Sequence, residues 1–172
     1  TDNIAAIVCT DKSSKIYKGG AILSHNQWFS KSRAKAVSNI TKGHANMYAD
    51  SVYLQNLSFH HARFVKDQMH KISADVIRFC LEHHAGTLVL GANKNWKQRV
   101  NIGTANNQMF VSMPTALLRS LITYKASMHG IRVIEQEESY TSKADICAMD
   151  YIPTYGVDDD RAVFSGRRIC RG

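Results

Sequence analysis

The chain has 172 residues, the size of one ordinary domain that needs neither disulfides nor a metal to hold its core. Its formal charge is +8, from 22 Lys and Arg against 14 Asp and Glu, which favours acidic partners and nucleic acid first. A hydrophobic content of 44% excludes a disordered chain. No apolar run reaches the ~20 residues of a membrane helix and no secretory leader is recognisable, so we expect a cytoplasmic protein without a membrane partner.

Four cysteines are spread along the chain, at Cys9, Cys80, Cys147 and Cys170. None forms a C-x-x-C pair, so their spacing favours neither a zinc ribbon nor a redox motif. We interpret them as reduced thiols in a cytosolic protein.

The first half of the chain is predicted to form short strands followed by helices. Residues 4–10 and 15–23 have extended patterns interrupted by polar turns and two glycines, which predicts two or three antiparallel strands. A basic helix is predicted over residues 27–42. A longer helix is predicted over residues 47–84, where apolar residues recur at spacings of three and four.

The second half repeats one arrangement twice: a helix, a glycine and an apolar strand. The long helix is expected to end in a left-handed cap at Gly86, before a strand at residues 87–90. A second helix starts at Pro114, ends at Gly130 and passes into a strand at residues 131–136. This order is typical of parallel strands joined by crossover helices. With the antiparallel start it predicts an α/β protein with a mixed sheet, the plan of an RNase H-like fold.

A long polar loop separates the first of these strands from the second helix. Loops of this length in a compact domain are usually functional, and this one starts at the carboxyl end of a predicted parallel strand, where ligands bind. It combines phosphate-binding charge, a stacking ring and amide groups, which predicts a nucleic-acid contact. The residues are Lys94, Trp96, Lys97, Arg99, Asn106, Asn107 and Gln108. The alternative is a solvated loop anchored by its tryptophan.

Acidic side chains follow the last predicted strand. Glu137 and Glu138 lie there, so one carboxylate can point into the same crevice as the loop. Carboxylates at a sheet edge in a basic protein suit phosphodiester cleavage assisted by Mg²⁺, and Glu138 is the candidate ligand. The run Asp158–Asp160 fits a solvated acidic turn better than a metal site. Motifs for acyl transfer, nucleotide phosphate binding and H-E-x-x-H zinc binding are absent.

Three long segments carry a resemblance to a known family. They read T-L-V-L-G-A-N-K-N-W-K-Q, N-I-G-T-A-N-N-Q-M-F-V-S-M-P and Y-K-A-S-M-H-G-I-R-V-I-E-Q-E-E-S-Y-T-S-K. The opening D-N-I-A-A-I-V and the closing F-S-G-R-R-I-C-R-G agree with them. In this order and spacing they resemble TnpB proteins, the OrfB-type transposases of bacterial insertion sequences, over nearly the whole chain.

The resemblance implies a RuvC-like nuclease domain of the RNase H superfamily. Its members are RNA-guided DNA endonucleases that pair a guide RNA with target DNA and cut with Mg²⁺. It implies a nuclease core at residues 1–136, with a helical insertion at about 27–84, and a nucleic-acid-binding insertion at residues 137–172 in place of a zinc ribbon. Further nucleic-acid contacts are expected from Tyr140, Lys143, Arg167 and Arg168.

The chain departs from the family pattern at its catalytic acids. The leading Asp would precede Thr1 and the final Asp would follow Gly172. The usual Glu of the second motif is replaced by Gly91, and Glu138 stands where some relatives have a substitute Glu. The zinc-binding C-x-x-C pairs are absent, so we expect no zinc.

These departures predict a fragment that does not cleave DNA by itself, because one carboxylate cannot hold two metal ions. The parent protein would then be the nuclease. Two other functions stay open. One is a non-catalytic nucleic-acid-binding protein from a decayed element, and the other is a DNA-joining transposase, since RNase H-like domains also serve that chemistry.

Overall fold

The computed structural model shows a mixed α/β protein. It describes residues 3–42, 51–92, 114–141, 143–145, 147–154 and 163–165. The elements, in chain order, are β1 (Asn3–Val8), β2 (Ser14–Lys18), α1 (Gly20–Thr41), α2 (Val52–Glu82), β3 (Thr87–Ala92), α3 (Thr115–Met128) and β4 (Arg132–Glu137).

β1 and β2 form an antiparallel hairpin, as the sequence predicts. The Cys9 N–H donates to the Ser13 carbonyl at 2.8 Å and closes the turn. The second strand is shorter than predicted, because α1 begins at Gly20 within the expected strand at residues 15–23. Ile22 and Leu23 are buried on the first turns of this helix, so their apolar character reflects a helix face and not a strand.

α2 carries the predicted apolar stripe and packs against the other helices. It begins at Val52, where the Ser51 Oγ accepts a hydrogen bond from the Tyr53 N–H at 3.3 Å. Its end differs from the prediction, because the left-handed residue is His84, with φ of 51°, and not Gly86. The buried residues of α2 are Leu57, Met69, Ser73, Val76, Ile77, Phe79 and Cys80.

Two kinds of contact join the helices: hydrogen bonds from a lysine and stacking of aromatic rings. Lys125 of α3 donates to the His70 carbonyl at 2.7 Å and to the Ser73 Oγ at 2.8 Å, both on α2. Between α1 and α2 the His25 and His61 rings are stacked, with centroids 5.2 Å apart. The His25 ring also contacts the ring of Phe64, and the His61 ring stacks on that of Phe29, each pair with centroids 4.0 Å apart.

β3 and β4 form a second two-stranded sheet, with α3 between them in the chain. The predicted helix after Pro114 is confirmed, and Gly130, at its predicted end, lies in the left-handed region with φ of 69°. The Arg132 N–H donates to the carbonyl of Gly86, next to the start of β3. At the other end of the sheet, Gly91 of β3 lies next to Glu138, the residue that follows β4. Because the two strands are adjacent both where they begin and where they end, they run in the same direction. The described strands thus form two sheets where the sequence predicts one mixed sheet.

The chain divides into two compact units. The first contains residues 1–88 and 100–133, and the second contains residues 89–99 and 134–172. The functional division at residue 136 stays a prediction. Among the described residues, no helix combines the length and apolar character that crossing a membrane requires.

Candidate functional site

The candidate site is the carboxylate of Glu138, directly after β4 in the second unit. Its side chain extends to the backbone of Gly91 near the end of β3. A Cβ atom at position 91 would overlap Oε1, Cδ and Oε2 of Glu138. The carboxylate therefore occupies the volume in which a side chain of residue 91 would begin.

A tight turn fixes the backbone of Glu138. The Thr141 Oγ1 donates to the Glu138 carbonyl at 2.9 Å, and the Thr141 N–H approaches the same oxygen at 3.4 Å. Tyr140 lies between them in the left-handed region, with φ of 66°. The Thr141 hydroxyl and the left-handed conformation of Tyr140 together determine the direction in which the backbone leaves β4.

The two neighbouring glutamates have different surroundings. The Glu137 carboxylate accepts a hydrogen bond from the Ser139 Oγ at 2.8 Å and is half-buried. Glu138 is exposed, and no side chain or backbone group of the described residues hydrogen-bonds or pairs with its carboxylate. Of the two glutamates, Glu138 is therefore the candidate to bind a ligand.

This carboxylate could supply one oxygen ligand to a hard cation such as Mg²⁺, because it is exposed and the described residues leave its oxygens without a hydrogen bond or ion pair. It does not complete a metal centre. The described residues contain no group of three or more His, Cys, Asp or Glu side chains that could hold a metal ion. A two-metal site requires several carboxylates, so Glu138 would be one contributor.

Aromatic and basic side chains follow Glu138 in the same unit. The rings of Tyr140 and Phe164 are stacked, with centroids 5.9 Å apart, and the Lys143 Nζ lies 5.8 Å from the Tyr140 ring centroid. Stacked rings with a cation suit an unpaired base and its phosphate. Sequence reasoning named Tyr140 and Lys143 but missed Phe164, whose only signal is its place in the closing F-S-G segment.

A second feature of this unit was also missed. The Asp150 carboxylate accepts hydrogen bonds from the backbone N–H of Asp145 at 2.8 Å and of Ser165 at 3.0 Å, and from the Ser165 Oγ at 2.5 Å. These bonds, that from Asp145 first, lower the pKa of Asp150. They connect the segment around Asp150 with that around Ser165.

The other predicted site residues lie outside the described residues. They are Lys94, Trp96, Lys97, Arg99, Asn106, Asn107, Gln108, Arg167 and Arg168, together with the acidic run Asp158–Asp160. Their part in a nucleic-acid contact stays a prediction.

Comparison with known families decides the assignment of the chain. The family model OrfB_IS605, "Probable transposase", matches residues 2–97, more than half of the chain. The chain belongs to this family. The resemblance to TnpB and other OrfB-type proteins is thereby confirmed.

The fold of this OrfB_IS605 protein resembles that of a chain in a solved structure. It is similar to a chain in the "Cryo-EM structure of the Cas12f1-sgRNA-target DNA complex", with a TM-score of 0.57 and 16% sequence identity. The match covers 77% of this chain and 32% of that one, so the present chain spans less than half of its length. At this identity the likeness concerns the fold alone. No curated protein matches the chain.

Proposed function

We propose that the chain is part of a TnpB-like, RNA-guided DNA endonuclease with an RNase H-like, RuvC-like domain. The observation that carries the proposal is the position of Glu138. Its carboxylate, which has no partner among the described residues, lies at the end of one strand of a parallel pair and against the end of the other. The carboxyl ends of neighbouring parallel strands are where open α/β sheets bind ligands.

Charge and family support nucleic acid as the partner. The chain has a formal charge of +8, and the Tyr140–Phe164 stack with Lys143 lies in the same unit as Glu138. The Cas12f1 chain of similar fold is in a complex with sgRNA and target DNA. Guide RNA and target DNA are therefore the proposed partners, with base pairing supplying sequence recognition and the protein binding the backbones.

Mg²⁺ is the proposed cofactor of the complete site. Such ions activate a water molecule and stabilise the leaving oxygen of a phosphodiester. Glu138 would supply one ligand oxygen, and Thr141 would hold the backbone that orients it. The remaining carboxylates would come from outside the described residues. The described residues therefore represent a contributing part of the nuclease site.

The test is Glu138→Gln in the complete protein that carries these residues, with guide RNA and target DNA present. Glutamine keeps the size and loses the charge, so we expect cleavage to fall by about 100-fold or more while guide RNA binding is kept. The matched control is Glu137→Gln, because that carboxylate is already bonded to Ser139. Full cleavage by Glu138→Gln would remove this carboxylate from the site.

A second candidate is a nucleic-acid-binding protein without catalysis. It is favoured by the absence of a metal-binding group of three or more ligands in the part of the chain that the structure describes. The same experiment separates the two, because a binder would retain guide RNA and show no Mg²⁺-dependent cleavage even with Glu138 intact. A DNA-joining transposase would instead produce strand-transfer products from the same substrates.

A further inference from the structure

We infer that Gly91 is a positioning residue for Glu138. The missing side chain at position 91 keeps open the volume that the Glu138 carboxylate occupies, so residue 91 determines where this carboxylate lies. The inference concerns the position of the carboxylate. Only its consequence for metal binding rests on the proposed function.

The backbone of Gly91 does not itself require glycine. Among the glycines of the described residues, a positive φ occurs at Gly130 and not at Gly91, so any residue could adopt the conformation at position 91. Glycine within a strand weakens it and often marks the close approach of another group. Here the approaching group is the side chain of Glu138. Space, and not conformation, is therefore the reason for glycine at this position.

The other glycines provide a contrast. A Cβ atom at Gly20 or Gly86 would meet no heavy atom within 4 Å. At Gly91 the same atom would overlap three atoms at the far end of Glu138. Gly86 lies just before β3 and Gly91 lies within it, so the two positions form a matched pair that differs in this contact.

The conflict at position 91 can be relieved at low cost. The overlapping atoms belong to the end of a flexible side chain and not to the backbone. A rotation of the Glu138 side chain to another staggered rotamer removes the overlap. A methyl group at residue 91 therefore displaces the carboxylate without disturbing the fold, which separates positioning from stability.

A metal-independent measurement on the 172-residue chain tests the position first. Nuclear Overhauser effects are expected between the Gly91 α-protons and the Glu138 γ-protons. The Gly86→Ala variant should keep them. In Gly91→Ala the Glu138 γ-protons should lose their contacts with the β3 backbone, while the unfolding temperature is unchanged. Absence of the wild-type effects, or persistence of the γ-proton contacts in Gly91→Ala, would overturn the inference.

Binding of Mn²⁺ to the complete protein that carries these residues, followed by paramagnetic broadening of amide signals, tests the consequence for the ligand. We expect Gly91→Ala to weaken binding near residue 138 by about tenfold, the effect typical of lost support around a metal ligand. Unchanged affinity in Gly91→Ala, with binding lost in Glu138→Gln, would contradict a positioning role. Unchanged affinity in Glu138→Gln would instead refute the proposed ligand and leave the proton contacts as the test of position.

Discussion

Lys125 and Glu138 are both charged, yet their surroundings are opposite. Lys125 lies between two helices of the first unit and donates hydrogen bonds to the His70 carbonyl and the Ser73 Oγ. Glu138, in the second unit, is exposed and has no bonded partner for its carboxylate among the described residues. A charged group that is hydrogen-bonded between helices contributes to folding, whereas an exposed carboxylate without such bonds is a candidate for chemistry. The contrast predicts that mutation of a residue such as Lys125 lowers stability, whereas mutation of Glu138 affects function and leaves stability nearly unchanged.

The largest effect on stability is expected for Lys125→Met. The variant removes both hydrogen bonds and leaves the buried Ser73 with one fewer partner, which should lower the free energy of unfolding by about 1–3 kcal/mol. Urea denaturation measures it. The control is Lys71→Met, whose salt bridge with Asp67 is exposed and should contribute less than about 1 kcal/mol. Equal losses of unfolding free energy in the two variants would show that Lys125 contributes no more to stability than an exposed salt bridge.

Acid sensitivity of the α1–α2 contact is the next effect. Burial first, and the neighbouring His25 second, lower the pKa of His61 below its ordinary value. The unfolded chain then binds a proton more readily than the folded one, so stability is complete above pH 6.5 and falls as the pH drops below it. Comparing urea midpoints at neutral and mildly acidic pH measures the loss.

The matched variant for this prediction is His61→Phe. It keeps a ring stacked on Phe29 and removes the titration, so its stability should change less than that of the wild type on acidification. His60→Gln, at an exposed position of the same helix, should behave like the wild type. An identical pH response in His61→Phe would show that the stack is not the acid-sensitive contact.

A smaller effect is expected at the β1–β2 turn. Hydrogen bonds from Ser13, backbone first and side chain second, hold the pKa of Asp11 at about 2, with a further contribution from His83. Because the folded-state pKa is lowered, the stability from this group is present above pH 3.8 and is lost as the pH falls through about 2. Acid unfolding followed by circular dichroism should show a smaller loss in Asp11→Asn than in the wild type. Superimposable acid transitions would contradict it.

Much of the fold could be predicted because its signals are local. Pro114 fixes the start of α3, and Gly130 adopts the positive φ that ends it. The failures occurred where tertiary packing decides. Ile22 and Leu23 suit a strand as well as a helix, and burial on α1 selects the helix. At the end of α2 the left-handed conformation falls on His84, because the Ala85 N–H bonds back to the Cys80 carbonyl before Gly86 is reached.

The candidate site was predictable only in part, for a related reason. Family resemblance selects Glu138, but nothing in the spacing of residues 91 and 138 indicates that one side chain fills the volume of the other. The stack of Tyr140 on Phe164 and the bonds from Ser165 to Asp150 likewise join residues far apart in sequence. Such contacts depend on the tertiary fold, and local sequence patterns do not indicate them.

The smallest effect on stability is expected at the candidate ligand itself. Glu138→Gln should change the free energy of unfolding by less than about 0.5 kcal/mol, because no hydrogen bond or ion pair between the described residues and its carboxylate is lost. Asp150→Asn, in the same unit, should lower the unfolding midpoint, since the Asp150 carboxylate accepts three hydrogen bonds. Thermal unfolding measures the midpoints of the two variants, whose mutated residues lie in the same unit. A destabilised Glu138→Gln would indicate that this carboxylate helps to hold the fold, and any loss of cleavage would then lose its value as evidence for a metal ligand.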